Sequence, residues 1–100
     1  MTTYDFNDGN GPVAAHKHPN GGGWVADSAF VAGSAYVGTN AKVYGNACVY
    51  GNALVFEGAV VSGKAQVFGY AQVFGKAWVS GDARVYGNAR VCGNARVCGK

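Results

Sequence analysis

The stretch Ala83-Arg84-Val85-Tyr86-Gly87-Asn88-Ala89-Arg90-Val91-Cys92-Gly93-Asn94-Ala95-Arg96-Val97-Cys98-Gly99 repeats one six-residue unit almost letter for letter. The unit is Ala-x-Val-y-Gly-n, and it runs back through most of the chain. Valine recurs every sixth residue from Val25 to Val97, with alanine two places before every valine but the first. Glycine stands two places after most of them. Side chains alternate faces along a strand, so Ala and Val point one way and x and y the other. Ala and Val are the apolar pair and face inward. Gly-n is the corner, because glycine reaches positive φ without penalty. Asparagine, which tolerates that region better than most residues, holds n at Asn46, Asn52, Asn88 and Asn94. Three corners, at Asp27, Thr39 and Glu57, lack the glycine. Asn40 and Gly58 follow the last two and are expected to absorb the strain there. A helix cannot use this pattern, since a period of six puts the valines on no single helical face and repeated glycine is costly.

The spacing accounts for the 17 glycines in 100 residues. The length suits one domain. A formal charge of +3 is far below that of a nucleic-acid-binding domain, so duplex nucleic acid is not an expected partner. No long unbroken apolar run is present, so no membrane helix is expected. The start, Met1 to Asp5, lacks the charged and apolar regions of a signal peptide. The three cysteines, Cys48, Cys92 and Cys98, make no disulfide framework. A reducing cytoplasm is therefore the expected location.

Val43 with Ala47, and Val85 with Ala89, fit an aliphatic residue followed four places later by a small one, with a turn between. In this the chain resembles the hexapeptide-repeat superfamily, the left-handed parallel β-helix of many bacterial acyltransferases. The resemblance spans residues 24–100. It implies an all-β fold, a left-handed parallel β-helix of about four triangular coils with three hexads in each. At ~4.8 Å per rung the prism would stand about 20 Å tall. The Gly-Asn-Ala-Arg-Val wording, preceded by His-Pro-Asn-Gly-Gly-Gly-Trp at 18–24, is similar to small hexapeptide proteins of phages and prophages, mostly of unknown function. That similarity would make the host cytoplasm the location. Residues 1–23 do not follow the period and contain Pro12, Pro19 and Gly21-Gly22-Gly23. They are expected to form a short irregular N-terminal cap that shields the first coil's strand edges. At the other end the repeat runs to Gly99-Lys100. There, either assemblies stack end to end, or Arg90, Arg96 and Lys100 blunt the edge by charge.

With three hexads per coil, residues 18 apart stack in columns. The edge between the second and third faces then gathers Tyr50, Phe68, Tyr86, Tyr36, Leu54 and the corner residue Tyr70. The edge between the third and first gathers Phe56, Phe74, Val60 and Trp78. The edge between the first and second is polar, with Ser62, Ser80, Lys64, Gln66, Asp82 and Arg84. Aromatic columns stabilise β-coils by themselves, but a contiguous apolar patch of this kind is rare on a monomer. A thin Val/Ala core also favours oligomerisation. The resemblance implies a homotrimer, and Tyr50, Leu54, Phe68, Tyr70 and Tyr86 are the expected interface. Cys92 and Cys98 fall on different faces, beyond the ~7 Å reach of a disulfide.

The only histidines are His16 and His18, both ahead of the coils. Acyltransferases of the resembled superfamily use a histidine base near a coenzyme A site between subunits. Catalysis of that kind would need one of these two. A His-x-His pair supplies only two of the roughly four ligands that zinc takes. No residue is therefore assigned to catalysis, to a metal or to a cofactor. Arg84, Arg90 and Arg96 occupy the last hexads, one per face, with Arg84 beside Tyr86 and Phe68 and Arg90 near Phe74. Aromatic faces stack bases and guanidinium forks hold phosphates; alternatively these arginines only solubilise the last coil. The expected function is a non-enzymatic, homo-oligomeric binding protein that captures a small anionic, nucleotide-like ligand between subunits. Arg84, Arg90, Tyr86, Phe68 and Phe74 are its candidate contacts, supplemented by His16 and His18. The alternatives are an acyltransferase-like hexapeptide protein and a structural or protein-capturing phage protein.

Overall fold

Each hexad forms a two-residue strand, x followed by Val, and three hexads close one turn. This is the arrangement in a computed structural model, which describes residues 3–6, 11–93 and 95–97. Asn94, Cys98, Gly99 and Lys100, named above at the last corners and the end, lie outside the described residues. Strands pair in parallel at a spacing of 18. Lys42 aligns with Val60, Val60 with Trp78 and Trp78 with Arg96. Val43, Val61 and Val79 accordingly form one inward column, and Val49, Val67 and Val85 another. The result is an all-β parallel solenoid of about four turns with three sheets.

Between coils, three amides of each inner hexad donate in the same direction. Lys42 N–H bonds Ala59 C=O (3.0 Å), Tyr44 N–H bonds Val61 C=O (2.9 Å) and Asn46 N–H bonds Gly63 C=O (2.8 Å). The bonds recur wherever the next hexad is in register, because every backbone group taken from water needs a partner. The alternation then fills the interior with small apolar side chains. Nine valines, from Val25 to Val79, are fully buried. Each contributes roughly 1.5–3 kcal/mol of burial. Val31 is only partly buried, as is Val97 near the other end.

The corners differ in one respect from the reading of the repeat. Positive φ falls on the glycine alone, at Gly45, Gly51, Gly63, Gly69, Gly75, Gly81, Gly87 and Gly93. Among the described residues the one that follows, asparagine or otherwise, does not share it. Where Glu57 replaces glycine, Glu57 itself takes a φ of 59°, and Gly58 does not relieve it. Its carboxylate accepts a 2.9 Å bond from the Gly75 N–H one coil on, which offsets part of that strain. The first coil turns otherwise. Asp27, Gly33 and Thr39 have no positive φ, and neither does Asn40. The corners close by Ala29 N–H to Ala26 C=O, Ala35 N–H to Ala32 C=O and Ala41 N–H to Gly38 C=O, at 2.9–3.1 Å, shorter than the corresponding 3.2–3.4 Å bonds of later corners. In this geometry the Ser28 and Ser34 hydroxyls bond Gly45 and Gly51 C=O. They replace the amide that does this work at later corners.

The N-terminal segment, expected to be irregular, contains two strands. Strand β1 (Thr3–Asp5) pairs antiparallel with β2 (Pro12–Lys17), and β2 pairs antiparallel with β3 (Trp24–Ala26), the first hexad strand. The hairpin thus extends the first sheet. A second aromatic cluster forms where Tyr4 stacks on Trp24 (4.6 Å) and Phe6 on Tyr44 (4.8 Å). The glycine run crosses the third sheet instead. Gly23 N–H bonds Val37 C=O and Val37 N–H bonds Asn20 C=O. A Cβ on Gly21 or Gly23 would fall 2.2 or 2.3 Å from a carbonyl oxygen there, so only glycine passes. The second sheet begins with β4 (Phe30–Val31), which has a strand neighbour on one side only.

Two substitutions separate the contributions at a corner. Gly63 and Gly87 both have φ +65°, but a Cβ on Gly63 would lie 2.8 Å from Gly81 N, whereas Gly87 has open space. Gly87→Ala should cost about 1–2 kcal/mol from conformation alone. Gly63→Ala should cost clearly more in urea melts, and equal costs would contradict the close stacking of corners. In the core, Val67→Asp buries an unpaired carboxylate and should abolish folding, read as loss of the circular-dichroism melt.

Candidate functional site

Stacking at a spacing of 18 sets the outer surface as firmly as the core. Tyr50, Phe68 and Tyr86 form a ladder of nearly parallel rings at 4.9 and 5.4 Å. Phe56 and Phe74 stack at 4.9 Å on the next sheet. Ring spacing follows from rung spacing, so these columns stabilise the coil directly. Tyr70 and Tyr86 remain 66% and 60% exposed, while Tyr50, Leu54 and Phe68 are half-buried. On the first sheet Trp78 donates its indole N–H to Ser62 Oγ (3.1 Å), and Arg96 lies over the Trp78 ring.

An open cleft lies on the second sheet, beside the corner that joins it to the first. Lys64, Gln66, Asp82, Arg84 and Tyr86 line it. Gln66 and Arg84 are register partners on adjacent strands, and Lys64 and Asp82 are the corner residues that precede them. The cleft therefore joins two cations, one carboxylate, an amide and an aromatic ring. Among the described residues the one ion pair is elsewhere, between His16 Nδ1 and Asp27 Oδ1 at 2.7 Å. Lys64 and Arg84 are left available to a ligand.

Of the expected contacts, the structure brings Arg84 and Tyr86 together in the cleft, with Phe68 stacked behind Tyr86. It does not bring Arg90 and Phe74 to them, because both belong to the third sheet. The histidines are farther off, on the hairpin and the turn after it, at the opposite end of the coil stack. His18 is buried and donates from Nε2 to Ala35 C=O (2.9 Å), which also accepts from Asn20 Nδ2 (3.1 Å). Its partners tie the cap segment to the first coil. Lys64, Gln66 and Asp82 were read only as a polar edge. The column rule already placed Lys64 ahead of Gln66 and Asp82 ahead of Arg84.

Charge is also uneven along the axis. Residues 58–97 carry Lys64, Lys76, Arg84, Arg90 and Arg96 against Asp82 alone. Residues 24–57 carry Lys42 against Asp27 and Glu57. The solenoid is basic towards its later coils and close to neutral towards its earlier ones. Cys48 is half-buried on the second sheet and Cys92 is exposed on the third. Among the described residues no cluster of three or more His, Cys, Asp or Glu is arranged to hold a metal ion. No helix among them is long and apolar enough to cross a membrane.

Residues 47–63 and 77–90 match the family model described as the YdcK beta solenoid repeat. The chain is a β-solenoid repeat protein. No curated protein and no solved structure matches it. The matched segments hold coil residues, including Arg84 and Tyr86, and leave out the N-terminal hairpin.

The hairpin's attachment can be tested at the histidines. His18→Ala removes a buried hydrogen bond and should cost about 1–2 kcal/mol in a thermal melt. His16→Ala, which removes an exposed pair, should stay within about 0.5 kcal/mol of the parent. The reverse order would contradict this account of how the segment is anchored.

Proposed function

We propose that the protein is a non-enzymatic binding protein whose cleft at Lys64, Gln66, Asp82, Arg84 and Tyr86 takes a small anionic ligand with a planar ring. The observation that carries this reading is one juxtaposition. The exposed last ring of the Tyr50–Phe68–Tyr86 ladder stands beside two cations that have no ion-pair partner among the described residues. Tyr86 offers a stacking face, Arg84 a two-pronged donor and Lys64 a point charge. Gln66 adds an amide that can read a ring edge. Asp82 leaves the site with a net positive charge and favours ligands that bring a donor as well as an anion. The lining has one carboxylate and neither histidine nor cysteine, so it has binding groups without an acid and base pair. Nucleotides fit this chemistry.

Calorimetry with nucleoside mono- and diphosphates tests the reading. A stacked ring contributes ~1–3 kcal/mol, and a charge-assisted bond about 1.5–3 kcal/mol. Tyr86→Ala and Arg84→Ala should each weaken binding about tenfold or more. Arg90→Ala, on another sheet, should leave it unchanged. Unaltered affinity in the Arg84 and Tyr86 variants, or no binding of any nucleotide, would refute the assignment.

A further inference from the structure

The first coil has three leading strand edges, and two of them are covered. On the first sheet Val25 pairs with His16 of β2. On the third, Gly23 N–H bonds Val37 C=O and Val37 N–H bonds Asn20 C=O. On the second, the leading edge of β4 has no partner among the described residues. We propose that this edge docks one extended polypeptide segment of another protein, which joins the second sheet as a further parallel strand. The edge lies at the opposite end of that sheet from the ligand cleft, so the two readings stand independently.

Backbone chemistry sets what fits. Phe30 and Ala32 N–H bond Ala47 and Val49 C=O of the next coil, at 2.9 and 2.8 Å. Successive residues of a strand turn these groups to opposite sides, so Val31 N–H and C=O face outward, as does Ala29 C=O. Inner coils show how such an edge is filled. Cys48 N–H bonds Ala65 C=O and Tyr50 N–H bonds Val67 C=O. A parallel segment brings the same two donors to Ala29 and Val31 C=O, and one acceptor to Val31 N–H.

Side chains narrow the partner further. Val25 and Val37 are fully buried beneath their covers, whereas Ala29 and Val31 are only partly buried. A residue placed above Val31 points into a mouth built of valine and alanine, so it must be uncharged and no larger than valine. The residue before it lies over Phe30, which is 56% exposed. An aromatic side chain there would stack on Phe30 as Phe68 stacks on Tyr50. The flanking covers fix the form of the occupant. Both β2 and the Asn20–Gly23 run already fill the level ahead of the first coil. A whole coil of a second copy would collide with them, but a single extended strand enters between them.

Residue-resolved amide exchange on the full chain tests this. The probe is a synthetic peptide of residues 33–40, Gly-Ser-Ala-Tyr-Val-Gly-Thr-Asn, which sets a tyrosine over Phe30 and a valine over Val31. In the free protein Val31 N–H should exchange fast while Val25 and Val37 exchange slowly. Titrated to millimolar concentration, the peptide should slow Val31 about tenfold and leave Val25 and Val37 unchanged. The same peptide with Val37→Asp should not protect Val31. Slow exchange of Val31 in the free chain would overturn the proposal, because the edge would then be covered already. So would protection of Val31 that grows with protein concentration alone, the mark of a second copy. Failure of the peptide to slow Val31, or equal protection by the aspartate peptide, would overturn it as well.

Discussion

The structure depends on one constraint: each coil must lie in register on the next, 18 residues on, so that its amides meet carbonyls. The x, y and n positions all donate towards the following coil. A single insertion between corners would shift the acceptors of the preceding coil's donors out of place. That requirement explains the length of the repeat before any side chain is considered. It also explains the glycine column. At Gly45, Gly51, Gly63, Gly69 and Gly75 an added Cβ would lie 2.8–3.0 Å from the backbone of the next corner. Conformation and contact therefore select the same residue. Glu57 is the exception, and its carboxylate bonds the N–H of the corner glycine it would otherwise crowd.

Register carries outward as well as inward. The Val/Ala interior is thin, and its stabilisation is repeated in small equal steps rather than concentrated in a few large residues. Outside, the same repeat lines up rings with rings and charges with charges. It has assembled a ladder of three aromatic side chains, an amide beside a guanidinium and a lysine ahead of an aspartate. A binding surface built this way needs no loop. Its residues are held by rungs whose positions the backbone has already fixed, so little ordering is left to occur on binding.

The period revealed the inward columns, the strand pairing and the aromatic edges, because each follows from alternation and a spacing of 18. Residues without the period were harder to read. Pro12 to Lys17 form a strand only because Thr3 to Asp5 and Trp24 to Ala26 flank it, a tertiary pairing with no repeat to announce it. His18 belongs to the same class: its partner, Ala35 C=O, is a backbone atom 17 residues away. In the candidate site, Arg84 and Tyr86 were legible as an arginine beside an aromatic ring. Arg90 and Phe74 satisfy the same rule, yet both stand on another side of the prism.

The most direct measurement of the central claim is residue-resolved amide hydrogen exchange on the intact chain. In the inner coils, from about residue 42 to residue 74, the x, y and n amides bond the next coil, whereas the corner glycine amides at 45, 51, 63 and 69 have no such bond. Protection should therefore rise and fall with a period of six, with fast exchange at those glycines. Protection in long continuous blocks, or none that follows the six-residue unit, would contradict the coil-to-coil ladder on which the fold and its outer surfaces rest.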